Sequence, residues 1–115
     1  MEYNLEKRTH LFAKQTREWI NYIPKTITTV EDCKQLTRSS GSIGANYIEA
    51  NESLSKKDFL MRIRIAKKEA KESIHWLDLL DQKNPEQEKQ RHYLVQECSE
   101  IMNILGAILR NSQWK

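Results

Sequence analysis

At 115 residues the chain has room for one domain, and two prolines with three glycines are too few for the many turns of an all-β fold. A net charge of +3, from 19 Lys and Arg against 16 Asp and Glu, is too mild either to demand or to exclude a polyanionic partner. The most apolar uncharged stretch, Ile101 to Leu109, falls well short of the roughly 18 apolar residues that a membrane span needs, and Met1 to His10 is charged and unlike a signal peptide. The expectation is a soluble, cytoplasmic, single-domain all-α protein with no membrane association.

The first helix is predicted over residues 5–22, because Leu5, Thr9, Phe12, Thr16, Trp19 and Ile23 recur at alternating steps of four and three, and Pro24 ends it. A second is predicted over 30–51, with Thr29 as its cap, Asp32 reaching back, and a buried stripe of Cys33, Leu36, Ser40, Ile43 and Tyr47. The third, over 56–82, opens at Ser55 with Asp58 as reciprocal cap. Phe59, Ile63, Ala66, Ala70, Ser73, Leu77 and Leu80 mark its inner face. Asn84 and Pro85 form a cap and first-turn pair for a fourth helix over 86–112, whose stripe is Leu94, Cys98, Ile101, Leu105 and Ile108. Short connectors leave each helix to return beside its predecessor, which predicts an antiparallel up-and-down four-helix bundle spanning residues 1–115. Cys33 and Cys98 fall on apolar stripes with no CxxC pair, so both read as reduced core thiols.

The middle of the second helix crowds Ser39, Ser40, Gly41, Ser42, Gly44 and Ala45 together, at a propensity cost of up to about 1 kcal/mol per glycine. Either the helix breaks at Gly41, or the small residues admit a close backbone neighbour near Ser40 and Gly44. The stripe runs in phase across the glycines, which favours the unbroken helix. Met61, Ile65, Trp76 and Leu79 on the third helix, with Val95, Met102 and Leu109 on the fourth, give more apolar surface than one bundle face uses. They face a second neighbour within the monomer or form an oligomer interface, and the latter is the expectation.

Glu72 and His75 have the Glu-x-x-His spacing of di-iron bundles, but neither His10 nor His92 follows a glutamate by three residues, so a solvated helix face is favoured over a metal site and no cofactor is implied. Neither a nucleophile signature nor a glycine-rich phosphate loop is present, so no catalytic residue is assigned. Arg38, Asn46, Glu49, Glu69 and Glu72 are expected to form a structural polar network, with Arg38, Glu49 and Glu69 as its ion-paired core. From Lys56 to Glu72, seven cations (Lys56, Lys57, Arg62, Arg64, Lys67, Lys68 and Lys71) stand against three anions, and this reads as the one clearly basic stretch of the chain. It can meet phosphates by counterion release, or lie solvated with Lys68 paired to Glu72.

The segment Gln35 to Leu77, above all RSSGSIGANYIEA (Arg38 to Ala50) and KEAKES (Lys68 to Ser73), resembles the signature of the four-helix-bundle proteins encoded in intervening sequences of 23S rRNA genes, a family that also carries a ribosomal-protein label. The likeness extends more loosely over the whole chain. It implies a bacterial antiparallel bundle that assembles into a ring, a pentamer, with no established enzymatic activity. The family in turn resembles the accessory variability proteins of retroelements, which bind nucleic acid through a basic barrel. Together the residues and the resemblance predict a non-enzymatic homo-oligomer binding RNA or DNA through the third helix. The alternative is a protein-binding scaffold with no nucleic-acid role.

Overall fold

The structure, a computed structural model that describes residues 4–111, consists of four helices: α1 (Leu5–Ile20), α2 (Ile27–Asn51), α3 (Lys56–Leu79) and α4 (Pro85–Asn111). α1 and α3 each pack on both α2 and α4, so α1 and α3 occupy one diagonal and α2 and α4 the other. The predicted inner stripes form the observed core except at Tyr47 and Ile108, which are half-buried against its edge, and at that end of α2 Asn46 and Ala50 are the buried residues. Phe12, Leu36, Ile43, Ile63, Leu77, Leu94, Ile101 and Leu105 are fully enclosed, and burying each such side chain is worth about 1.5–3 kcal/mol of transfer free energy. Cys33 and Cys98 are free thiols inside this core, and burial pushes the Cys98 thiol up to about 12.

The helix ends differ from the sequence expectation for local reasons. α1 stops at Ile20 because the chain tightens there: Tyr22 N–H donates to Trp19 O at 3.0 Å and Ile23 N–H to Ile20 O at 3.0 Å. α2 begins one turn earlier than predicted, at Ile27. Thr26 is its cap, its hydroxyl accepting from Thr29 N–H, while the Thr29 hydroxyl accepts from Thr26 N–H. Thr29 is therefore the partner three residues inside the helix, and Asp32 takes no part in the capping box. α3 ends at Leu79, and α4 begins with Pro85 after Asn84, whose side chain accepts from Gln87 N–H. The predicted last residue of α4, Ser112, lies outside the described residues.

α2 runs unbroken through Gly41 and Gly44. A Cβ at Gly44 would lie 2.8 Å from Thr9 Oγ1 and 3.3 Å from Thr9 Cβ, so the missing side chain is what lets α1 come in this close. On the opposite flank of α2, Ser39 and Ser73 share a 2.8 Å hydrogen bond between hydroxyls, and Ser73 also donates to Glu69 O. Small polar residues thus serve two different close contacts, one with α1 and one with α3.

Candidate nucleic-acid interface

The α2–α3 seam carries the polar network that fixes the position of α3. Arg38 Nη2 reaches both Glu69 Oε1 and Glu72 Oε1 at 3.1 Å, and Nη1 reaches Glu69 Oε2 at 3.4 Å. Glu69 is buried, and its hydrogen bonds to Arg38 hold that guanidinium firmly charged. Farther along the seam, Asn46 accepts from Arg62 at 3.2 Å and donates to Ser42 O and Oγ. Glu49 is exposed and forms no ion pair among the described residues, so the third member of the triad is Glu72 and not Glu49. The reason is axial: Glu49 lies eleven residues beyond Arg38, about 16 Å up the helix at 1.5 Å per residue, too far to share its guanidinium.

This network decides which cations of α3 are free. Arg62, counted with the basic residues, turns half-buried toward Asn46 and leaves the outer surface. Lys68, the candidate partner of Glu72, has lost it to Arg38. Lys56, Lys57, Arg64, Lys67, Lys68 and Lys71 are all exposed, and among the described residues none of them makes a salt bridge. Lys57, Arg64, Lys68 and Lys71 follow one another at steps of seven, four and three, a single outward ridge about 21 Å long. α4 extends it sideways. A Cβ at Gly106 would sit 3.4 Å from Arg110 Nη1 and 3.6 Å from Lys67 Cε, so the bare glycine lets two cations converge on one spot.

The expectation of a single basic stretch needs correction. From Lys7 to Arg17 there are four cations and no acid. Arg8 is consumed by Glu97 and Glu100 of α4, with Nε to Glu97 Oε2 and Nη2 to Glu100 Oε1 both at 2.7 Å. Lys7, Lys14 and Arg17 remain exposed and unpaired among the described residues, forming a second cationic ridge on the opposite corner of the bundle. Counting charge in that short window would have found it.

The apolar residues assigned to an oligomer interface line one flank of α3. Met61 and Leu79 are 45% and 52% exposed, whereas Ile65 and Trp76 are half-buried. The Trp76 ring stands edge-on to His75 at 4.8 Å between centroids. Glu72 is engaged by Arg38, and no cluster of three or more potential metal ligands occurs among the described residues. No helix there is long and apolar enough to cross a membrane.

No curated protein matches the chain. Among solved structures it is similar to a protein of unknown function from the S23 ribosomal protein family of Bacteroides thetaiotaomicron, with a TM-score of 0.79 and 29% identity over 92% of this chain and 98% of that one. The family model described as 23S rRNA-intervening sequence protein matches residues 1–107. With that model covering nearly the whole chain and the four-helix fold shared with the solved neighbour, the chain belongs to the 23S rRNA-intervening sequence protein family.

Proposed function

We propose that this protein is a non-enzymatic homo-oligomer that holds RNA or DNA by the phosphate backbone along the outer ridge of α3. The observation that carries the reading is the exposed and unpaired state of Lys57, Arg64, Lys68 and Lys71, reinforced by Lys67 and Arg110. Arg8, Arg38 and Arg91 are tied to carboxylates, whereas these cations keep their full charge for a partner. Contacts of this kind position a backbone without reading bases. The apolar flank of Met61, Ile65, Trp76 and Leu79 supports association between copies, which would multiply the ridge.

A gel-shift or anisotropy series at rising salt tests the reading. Four phosphate contacts per protomer give log K against log salt a slope of about −4 on duplex DNA. Reversing Lys67, Lys68 and Lys71 to Glu should abolish binding while leaving the helical content unchanged. Absence of binding at low salt, salt-independent binding, or survival in the reversed variant each refutes it. For the oligomer, light scattering should give a multiple of the 13.7 kDa chain mass, fivefold if the family resemblance carries over, and a monomeric mass refutes that half.

A further inference from the structure

The α1–α2 seam has a feature that the α3 ridge does not use. On the outer side of the close contact between Thr9 and Gly44 the two helices part into an open trough of about 540 Å³. Its floor is nearly bare of side chains, since Ala13 faces Gly41, Gly44 and Ala45, and at one end Ile48 lies 44% exposed to water. Its rim on the α1 side is cationic. Lys7 and Lys14 stand along it, and Arg17 closes the far end, donating only to the neutral carbonyls of Ala13 and Thr37. Glu6 is the single acid lining the trough, so three full positive charges there meet one negative.

We propose that this trough receives an acidic amphipathic helix of a partner protein, a site separate from the nucleic-acid ridge of α3. Two features select that occupant together. The floor offers small apolar walls, with Ile48 awaiting cover, which suits the apolar face of a helix. The unpaired Lys7, Lys14 and Arg17 suit Asp or Glu on its flank and repel a basic one. From Glu6 to Arg17 the trough runs about 16 Å, three helical turns, so the partner presents small or aliphatic residues at i, i+3 or i+4 and i+7. A nucleic-acid backbone suits it less well, because the small apolar floor of Ala13, Gly41, Gly44 and Ala45 offers phosphates no side-chain donor and His10 is the single aromatic ring in the lining.

The test uses the full chain and a fluorescein-labelled synthetic peptide of about 18 residues, with a Leu and Ala face flanked by Glu, read by anisotropy. Three comparison ligands are the same peptide with Lys in place of Glu, a Glu-rich peptide lacking the apolar face, and a nucleic-acid duplex. The acidic amphipathic peptide should bind best. Ala45→Trp fills the trough from an exposed position, and Lys7→Glu with Lys14→Glu reverses the rim. Each should weaken binding by at least about tenfold, with circular dichroism confirming the fold. Reversal of Lys67, Lys68 and Lys71 should leave peptide binding unchanged, so this site and the α3 ridge fail or succeed independently. The proposal is overturned by no peptide binding, by equal binding of the Glu-rich peptide without an apolar face, or by indifference to Ala45→Trp. It is also overturned if the duplex competes for the trough, or if the peptide binds only by dissociating an oligomer, which would make a second copy the natural occupant.

Discussion

Gly41 and Gly44 lie three residues apart in one helix, yet alanine should act on stability with opposite signs at the two. Both substitutions gain up to about 1 kcal/mol of helix propensity and reduced unfolded-chain entropy. At Gly41 the new Cβ would meet only the tip of Arg17, with Nη2 at 3.0 Å, and a long guanidinium can swing aside at little cost. At Gly44 it would meet Thr9 Oγ1 at 2.8 Å and Thr9 Cβ at 3.3 Å, and Thr9 is buried with its hydroxyl bonded to Leu5 O at 2.7 Å. Nothing there is free to move, so α1 must shift away from α2. Overpacking of this kind costs about 1–3 kcal/mol, which outweighs the propensity gain and leaves Gly44→Ala destabilised by about 1 kcal/mol. Gly41→Ala should be stabilised by about 0.5–1 kcal/mol.

Urea unfolding with unchanged slope measures both effects, and a Thr9→Ala background supplies the control. Removing Oγ1 deletes the 2.8 Å conflict and leaves only the 3.3 Å approach. In that background the cost of Gly44→Ala should fall by about 1 kcal/mol, the coupling expected of residues in contact. Same-sign shifts at the two glycines, or a Gly44 cost unaffected by Thr9→Ala, would refute the claim that Gly44 sets the α1–α2 distance.

Three further outcomes follow from single contacts. Thr26→Ala should cost about 1 kcal/mol through loss of the α2 cap, whereas Asp32→Ala should stay within about 0.5 kcal/mol; a reversed order in thermal melts would move the cap back to Thr29. Glu88 is held down at about 2, first by its hydrogen bonds to Arg91 and next by Gln82 N–H. A depressed carboxylate stabilises fully above its unfolded value near 4.5 and loses that contribution as pH falls toward 2, so the stability gap between wild type and Glu88→Gln should close across that window; a gap constant from pH 7 to pH 2 would exclude the mechanism. Cys98 is fully buried, with its thiol pushed up to about 12, so native protein at pH 8 should react with a thiol reagent at this site no faster than it unfolds, a comparison made by mass spectrometry in water and in denaturant.

Periodicity made the four helices legible because the signal for each is long and internal to its own segment. Phe12, Leu36, Ile63 and Ile101 all sit where their three-four stripes put them. Features that depend on two helices at once were harder. Arg38, Glu69 and Glu72 come together, but that Glu72 and not Glu49 completes the cluster depends on the axial register of α2 against α3, which neither helix encodes alone. Arg62 shares a charge run with Lys67 and Lys68, but its angle on α3 aims it at Asn46. The α2 cap failed for a local reason. Thr26, Thr28 and Thr29 all look like caps, and the pair used here closes through two threonine hydroxyls in place of the usual acidic partner. The trough between α1 and α2 is the converse of a motif, a surface defined by side chains that are absent, visible only once both helices are in place.

The division of labour between arginine and lysine links the scaffold to the proposed function. Arg8, Arg38 and Arg91 each hold two carboxylates, Glu97 with Glu100, Glu69 with Glu72, and Glu88 with Asp78, work that suits a planar fork with several donors. Those six acids are thereby withdrawn from the lysines, and a chain of net charge only +3 comes to display concentrated positive ridges. The arrangement is testable at a residue outside the ridge. Arg38→Lys keeps the charge at position 38 but offers a single ammonium where Glu69 and Glu72 are now both engaged, so Glu72 is released toward Lys68 four residues before it on the outer face. If the α3 ridge holds nucleic acid, this one lysine then enters an ion pair, and the salt dependence of binding should fall by about one counterion per protomer. Restoring the loss by a second change, Glu72→Gln, would confirm that Lys68 and not a distorted helix is responsible. An unchanged slope in Arg38→Lys, with stability preserved, would show that the Arg38 clamp holds the fold together without shaping the ridge.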